Sequence, residues 1–337
     1  MLWARAEGCR VWDADGAEYL DLSGGFGVAA LGHRNPRVMA AIASAPVAHA
    51  LGDLAEAEST AELRRLLPWP AKLGVTGEDA VEIGLRTALL ATGKPGIAAF
   101  DGAYHGTGLL ALAATGFERF REPFSAWLPG PVHRFAFGED PGPLPGDTGC
   151  VIAEPVQGRA GARVPPDGWL ESLRRRCDDA GALLVIDAVY AGLGRVGELW
   201  PGEESADVIC VGKALGGGLP LSAALFVRRD LERVWELGPE DVLTHTHVGN
   251  PLACAAAAVV LEEVPGLLDR VVGAGERFAA AGWHGKGLLR ARPGDADDAL
   301  QAGVIVIPAG VDGSLVSATP PLTISDAEID EALERIG

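Results

Sequence analysis

Two short apolar runs each end in a charged residue, and those two charges suggest a specific chemistry. The run Leu-Leu-Val-Ile at 183–186 ends at Asp187, and Val-Ile-Cys-Val at 208–211 ends, after Gly212, at Lys213. Gly216, Gly217, Gly218 and Pro220 follow the lysine. A lysine at the end of a buried strand loses hydration, and burial disfavours its charged form. A depressed lysine pKa is what a Schiff-base nucleophile needs. An acid at the end of a neighbouring strand is what a pyridinium nitrogen needs. Together the pair points to pyridoxal phosphate.

The elements that must position this pair alternate along the centre of the chain. Residues 96–100, 150–153, 182–187, 207–211 and 222–227 read as strands. A helix opening near Pro166 and Asp167 carries Trp169, Leu170, Leu173 and Cys177 at helical spacing and stops at Gly181. A second helix covers 79–92, with Val81, Leu85, Ala88 and Leu89 on its apolar side. Gly84 inside it costs about 1 kcal/mol relative to alanine. Such alternation predicts an α/β fold with a mostly parallel sheet covered on both faces. Ligands of such sheets sit beyond the carboxyl ends of the strands, where Glu154, Asp187 and Lys213 outline one cleft.

The ends of the chain read differently. Residues 10–21 form a hairpin signal around Asp-Ala-Asp-Gly at 13–16. Near the C-terminus come a strand-like run at 303–307, a turn at 309–313 and a helix from about Asp326. The expected organisation is a small domain built from residues 1–45 and 251–337 around a large domain at 46–250.

With 337 residues, 48% of them hydrophobic, the chain can bury a sizeable core. A net charge of −18 argues against nucleic acid and anionic membranes as partners and suits solubility. Cys9, Cys150, Cys177, Cys210 and Cys254 show no metal spacing, so no metal is expected, and reduced core thiols in a cytoplasmic protein are. No signal peptide or membrane-length apolar stretch free of charge is apparent, and the alanine-rich run at 253–261 suits a packed internal helix.

Two phosphate-loop patterns fail on context. Gly192, Gly194 and Gly197 match G-x-G-x-x-G, but Glu-Leu-Trp-Pro at 198–201 does not open a helix and no acid ends a strand about 20 residues on. Gly212-Lys213 lacks P-loop spacing, since Asp207 and Ala214 occupy the deciding positions.

A larger pattern fits. Val-Ile-Asp-Ala-Val-Tyr-Ala-Gly-Leu-Gly-Arg at 185–195 and Gly-Lys-Ala-Leu-Gly-Gly-Gly-Leu-Pro at 212–220 resemble the class III (ω-type) pyridoxal-phosphate aminotransferases. So do the stretches at 16–24, 32–36, 76–82, 103–106, 154–158, 249–253 and 320–322, which stand in family order across nearly the whole chain. The resemblance implies fold type I, with a seven-stranded, mostly parallel sheet in the large domain and a smaller α+β domain from both termini. It implies Lys213 as the Schiff-base and proton-shuttling lysine, and Asp187 as the partner of the pyridine nitrogen. Val189 and Tyr104 would flank the ring, with His105 beside them. Gly77 and Glu78 would bind the phosphate through backbone N–H groups at a helix start. Thr246 would reach the phosphate of the other subunit in a homodimer with shared sites.

Departures from the family pattern concern the substrate end. The position of a common cofactor-contacting glutamine is Tyr190, whose hydroxyl could still donate. The usual acid after the pyridine aspartate is Ala188. Glu78 places a carboxylate beside the phosphate, so its side chain must point away. Many relatives pair a glutamate at position 154 with an arginine where this chain has Ser317. Without that arginine, the expected donor is an amine, diamine or ω-amino acid, with Glu154 free to attract its ammonium. The chain begins without the segment that usually helps line the pocket, the region 262–302 looks trimmed, and Phe26 is a remaining pocket candidate. The resulting reading is an aminotransferase acting in two half-reactions, from such a donor to an oxo-acid or aldehyde acceptor. Other pyridoxal-phosphate chemistry (aminomutase, decarboxylase or racemase) and a trimmed non-catalytic subunit are the alternatives.

Overall fold

The computed structural model describes residues 1–51, 55–238, 242–243 and 245–337. The N-terminus forms strands β1 (Trp3–Glu7), β2 (Arg10–Asp13) and β3 (Glu18–Asp21), of which β2 and β3 are the expected hairpin. The central strands are β4 (Ala71–Gly74), β5 (Gly96–Phe100), β6 (Val132–Phe135), β7 (Thr148–Ala153), β8 (Leu183–Asp187), β9 (Val208–Val211) and β10 (Ser222–Phe226). They make one seven-stranded sheet in the order β4-β10-β9-β8-β7-β5-β6. Strands β5 to β9 run parallel, and β10 runs antiparallel to both neighbours. The strands β5, β7, β8 and β9 are buried throughout rather than alternating, as expected of a sheet covered on both faces.

Parallel direction has a direct consequence for chemistry. The carboxyl ends of β5, β7, β8 and β9 all reach the same edge, so Tyr104, Glu154, Asp187 and Lys213 are delivered to one place. The helix Gly77–Thr92 crosses this sheet and starts at the same edge. Thr76 and Asp79 form a reciprocal capping box that fixes its first turn. Gly84 is a packing requirement rather than a defect. A Cβ there would lie 2.9 Å from Cys210 Sγ and 3.0 Å from Val185 Cγ1, so only glycine lets the helix approach the sheet this closely.

The C-terminal strands are β11 (His284–Lys286), β12 (Leu289–Pro293), β13 (Val304–Ile305), β14 (Ile307–Ala309) and β15 (Leu315–Ala318). The run expected as one strand at 303–307 is divided between two sheets. Val304–Ile305 pairs parallel with β3, whereas Ile307–Ala309 pairs antiparallel with β15. Residues from both ends of the chain therefore share one four-stranded sheet, β1-β2-β3-β13, and Arg10 on β2 pairs with Glu331 of the closing helix Asp326–Ile336 at 2.7 Å.

The stretch 251–280 is long and apolar enough to cross a membrane by composition alone, with half of its most apolar window buried. It divides into the helices Pro251–Glu263 and Leu268–Ala280 around a single 3-10 turn. Ala253, Ala256, Ala257 and Val260 of the first helix sit in the main core. All five cysteines are buried and free.

Candidate active site

A cavity of about 200 Å³ opens at the carboxyl edge of the parallel strands. Of the residues singled out by the sequence, Gly77, Glu78, Tyr104, His105, Glu154, Asp187, Val189, Tyr190 and Lys213 line it. Phe26, Thr246 and Ser317 do not. A larger groove of about 610 Å³, bounded by Pro155, Trp169, Trp200 and Lys286, contains none of them, and the Lys286 ammonium there is engaged by Glu198 at 2.5 Å.

Lys213 begins a short 3-10 turn after β9, with a backbone φ of +34°. That left-handed value is uncommon for a residue with a side chain, and such strain is retained only where the surroundings impose it. Gly212 and Gly77 explain the constraint. A Cβ on Gly212 would meet Gly77 Cα at 3.0 Å, and one on Gly77 would meet Val189 Cγ1 at 2.5 Å. The turn, the helix start and Val189 are thus in backbone-level contact. Burial lowers the pKa of the Lys213 ammonium; Asp187 and Glu154 partly oppose this, and Arg159 adds to it. The ammonium lies 4.4 Å from the Tyr190 ring centre.

Asp187 is buried at the end of β8, and its Oδ2 is 2.7 Å from His105 Nδ1. Its Oδ1 accepts from Val189 N–H at 3.1 Å. His105 is in turn fixed by Thr115, whose hydroxyl accepts the His105 N–H at 3.0 Å. The far ring nitrogen, Nε2, is buried without a partner. Sequence reasoning placed His105 in the site but missed Thr115, which lies ten residues away on a helix end.

The start of the helix Gly77–Thr92 presents donors to the cavity. The Thr76 hydroxyl takes Asp79 N–H, and among the described residues no acceptor takes the N–H of Gly77 or Glu78. The Glu78 carboxylate is held elsewhere: its Oε2 accepts from Thr107 N–H at 2.7 Å and from the Thr107 hydroxyl at 3.0 Å. Gly106, with φ +120°, makes room, since a Cβ there would lie 2.9 Å from Glu78 Cβ. The acid beside the helix start is thereby turned away, as its position required.

Tyr104 packs edge-on against Phe120 with ring centres 5.5 Å apart. Tyr190 is tightly framed, since a Cβ on Gly158 would touch its ring at 2.5 Å and one on Gly27 at 3.2 Å. Its hydroxyl is 3.4 Å from Thr319 Oγ1, which itself donates to Ser23 O at 2.8 Å. With the threonine proton used, Tyr190 is the donor of the pair. The tyrosine therefore faces Lys213 with its ring while its hydroxyl is turned to Thr319.

Glu154 is buried and accepts backbone N–H from Tyr104 at 2.9 Å and Gly158 at 3.3 Å. Burial, and after it the Asp187 charge, holds its carboxyl well above the ordinary range. A group whose folded pKa is raised stabilises the fold fully below its unfolded value. That contribution is lost as pH rises through the folded pKa. Glutamine copies the protonated form at the cost of one long hydrogen bond. Glu154→Gln is therefore expected to melt higher than the parent at about pH 8, with the gap closing by about pH 4. Melts of the cofactor-free protein across that range measure it.

The structure corrects two sequence placements, those of Ser317 and Phe26. Ser317 does not face Glu154: it is buried in β15 and its hydroxyl donates to Arg290 O at 3.0 Å. It sits opposite Ala291 of β12, and it does not line the cavity. Phe26 is 53% exposed with φ +62°, and it is its neighbour Gly27 that abuts Tyr190. Thr246, expected to serve the other subunit, is exposed outside its own cavity, and its carbonyl is bound by His49 Nε2. One lining residue was missed altogether. Arg159 enters the cavity from the turn after Glu154, with its guanidinium 4.6 Å from the Tyr104 ring centre. An arginine next to a glycine just past a strand-end acid was the available signal.

Known proteins resemble this chain in sequence and fold. The profile of the class-III aminotransferases matches residues 1–141 and 143–280. An acetylornithine aminotransferase of Methanopyrus kandleri is 35% identical over 98% of this chain and 92% of its own length. A putrescine aminotransferase of Pectobacterium atrosepticum is 37% identical over 75% of this chain and 58% of its own. Among solved structures, an ornithine aminotransferase from Toxoplasma gondii, with pyridoxal phosphate at partial occupancy in its active site, superposes with a TM-score of 0.89. It is 25% identical over 99% of this chain and 89% of its own. An amine transaminase from an uncultivated Pseudomonas species superposes at 0.86, with 27% identity over 100% of this chain and 93% of its own. A lysine-bearing cavity at the carboxyl edge of a seven-stranded sheet, matched in fold over the whole chain and in sequence over most of it, makes this protein a member of the class III, pyridoxal-phosphate-dependent aminotransferases.

Proposed function

We propose that the enzyme takes the amino group of an amine, diamine or ω-amino acid and delivers it to an oxo acid or aldehyde. The observation that carries the donor class is the position of Ser317. The strand that supplies it directs no cation into the cavity, and its hydroxyl is committed to Arg290 O. The likeness to a putrescine aminotransferase and to an amine transaminase supports the same class.

The residues present fit the cofactor. A planar, anionic pyridine needs donors for its phosphate, an acid for its nitrogen and a lysine for its carbonyl carbon. The unpaired N–H groups of Gly77 and Glu78 would receive the phosphate, aided by the helix dipole. Asp187 would hold a proton at the ring nitrogen, with His105 fixing the carboxylate and its unpartnered Nε2 left for the cofactor or a water. Val189 and Tyr104 would flank the ring. Bound there, pyridoxal phosphate supplies a carbon to which amines add and a ring that accepts the electrons released at the substrate Cα. Lys213, with its lowered pKa, would offer an uncharged amine for attachment and afterwards move the proton from the substrate Cα. Tyr190 would cover the lysine and exclude water, while its hydroxyl stays on Thr319.

We further propose a homodimer in the cytoplasm, with Thr246 serving the phosphate of the partner. Its exposure outside its own cavity supports that reading, as do exposed Leu2, Trp3, Phe26, Val47 and Leu51 near the N-terminus. Five buried free thiols support a reducing compartment. The donor class is tested with a panel in which loss of the cofactor absorbance is followed after mixing with each donor. Putrescine, 1-phenylethylamine and β-alanine should react faster than alanine or glutamate. Faster reaction of the α-amino acids would remove the proposed donor class.

A further inference from the structure

Arg159 shares the cavity with Lys213 and is the only other strong cation among its described lining residues. Its backbone is pinned on both sides. It lies within the turn closed by the Gln157–Arg163 bridge, and its carbonyl accepts from Gly310 N–H at 3.1 Å. The guanidinium rests over the rings of Tyr104, at 4.6 Å, and Phe120, at 5.0 Å. Such stacking limits its rotamers before any ligand arrives.

Its donors are idle. Among the described residues no oxygen accepts a hydrogen bond from the guanidinium, and Nε is buried without a partner. By contrast, Arg195 donates to Leu288 O and Pro320 O, and Arg174 pairs with Asp207 at 2.6 Å. The nearest cavity acid in sequence, Glu154, has both oxygens committed to backbone N–H groups. A partly desolvated planar cation with free parallel donors is suited to a carboxylate, which it can hold through two N–H···O bonds.

Resting on the aminotransferase reading, we propose that Arg159 is the receptor for a substrate carboxylate, that of an oxo-acid acceptor or of an ω-amino acid donor. Simple amines and aldehydes bring no group to it. This cation approaches the cavity beside Tyr104, from a different element than β15, where Ser317 stands.

The test compares the holoenzyme with Arg159→Gln and Arg159→Lys. With one amine donor, KM is measured for pyruvate and for propanal. In parallel, binding of propionate and of neutral propionamide is measured by titration calorimetry. The expected result for Arg159→Gln is a rise in KM for pyruvate, and a weakening of propionate binding, larger by roughly 10- to 100-fold than the change for propanal or propionamide. Arg159→Lys should recover part of the difference. Equal losses for charged and neutral probes would overturn the proposal and leave Arg159 as a brace for Tyr104. Unchanged propionate binding, or none in the parent enzyme, would overturn it too. Absence of transfer to either acceptor in the parent enzyme would instead defeat the aminotransferase reading, while the propionate titration would still decide the role of Arg159.

Discussion

Lys213→Ala should lower amine transfer by at least about 10³-fold, because one substitution removes both the attaching amine and the proton carrier. The fold should survive it. Lys213 is half-buried, with a pKa lowered by that burial, so its ammonium is a cost to the folded state rather than a source of stability. Alanine occupies the +34° backbone no worse than lysine does. The melting temperature of the cofactor-free variant should therefore equal or exceed that of the parent. Two measurements check this: steady-state transfer with any donor the parent accepts, and borohydride reduction followed by peptide mass spectrometry. The parent should carry the cofactor on Lys213, and the variant should carry none. Transfer by the alanine variant at near-parental rates would remove Lys213 from the mechanism.

The second large effect is expected at Asp187. Asparagine preserves the shape but removes the charge that would keep the ring nitrogen protonated. It also leaves His105 Nδ1 facing a neutral group at the 2.7 Å contact. A preorganised charge at a ring that takes up electrons is worth a few kcal/mol of barrier, so Asp187→Asn should lose roughly 10²- to 10³-fold in kcat. Because the carboxylate also raises the pKa of Lys213, the variant should show a further lowered lysine pKa, and so an acidic limb of the rate profile displaced to lower pH. A substitution that merely loosened the fold would shift no limb. An unchanged kcat would exclude Asp187 from contact with the ring.

The cofactor end of this site was legible because it is built at strand ends. Apolar runs mark buried strands, and a charge at the end of each is visible without coordinates; Glu154, Asp187 and Lys213 were found that way. The Thr-x-x-Asp cap at Thr76 starts the helix at Gly77, two residues before the expected start at 79. The substrate end lies in turns and at strand switches, where periodicity carries little information. Ser317 was read as facing the cavity because its neighbours in sequence do not reveal which side of β15 it occupies. Arg159 lies in a four-residue turn with no repeat to interpret. Gly84 counted against a helix on propensity, yet contact with Cys210 and Val185 demands it. The run at 303–307 carries one apolar pattern but is shared between two sheets, a division set by partners far away in sequence.

That division also orders the making of the protein. Every lining residue of the cavity falls between Gly77 and Lys213, but the bonds that steady Tyr190 and Arg159 reach forward to Thr319 and Gly310. Strand β3 is made well before β13, and the edge it offers to β13 stays uncovered until β13 is in place. A strand made early is thus completed late, and the chain passes through a stage in which this sheet has an open edge and the cavity still lacks its C-terminal supports.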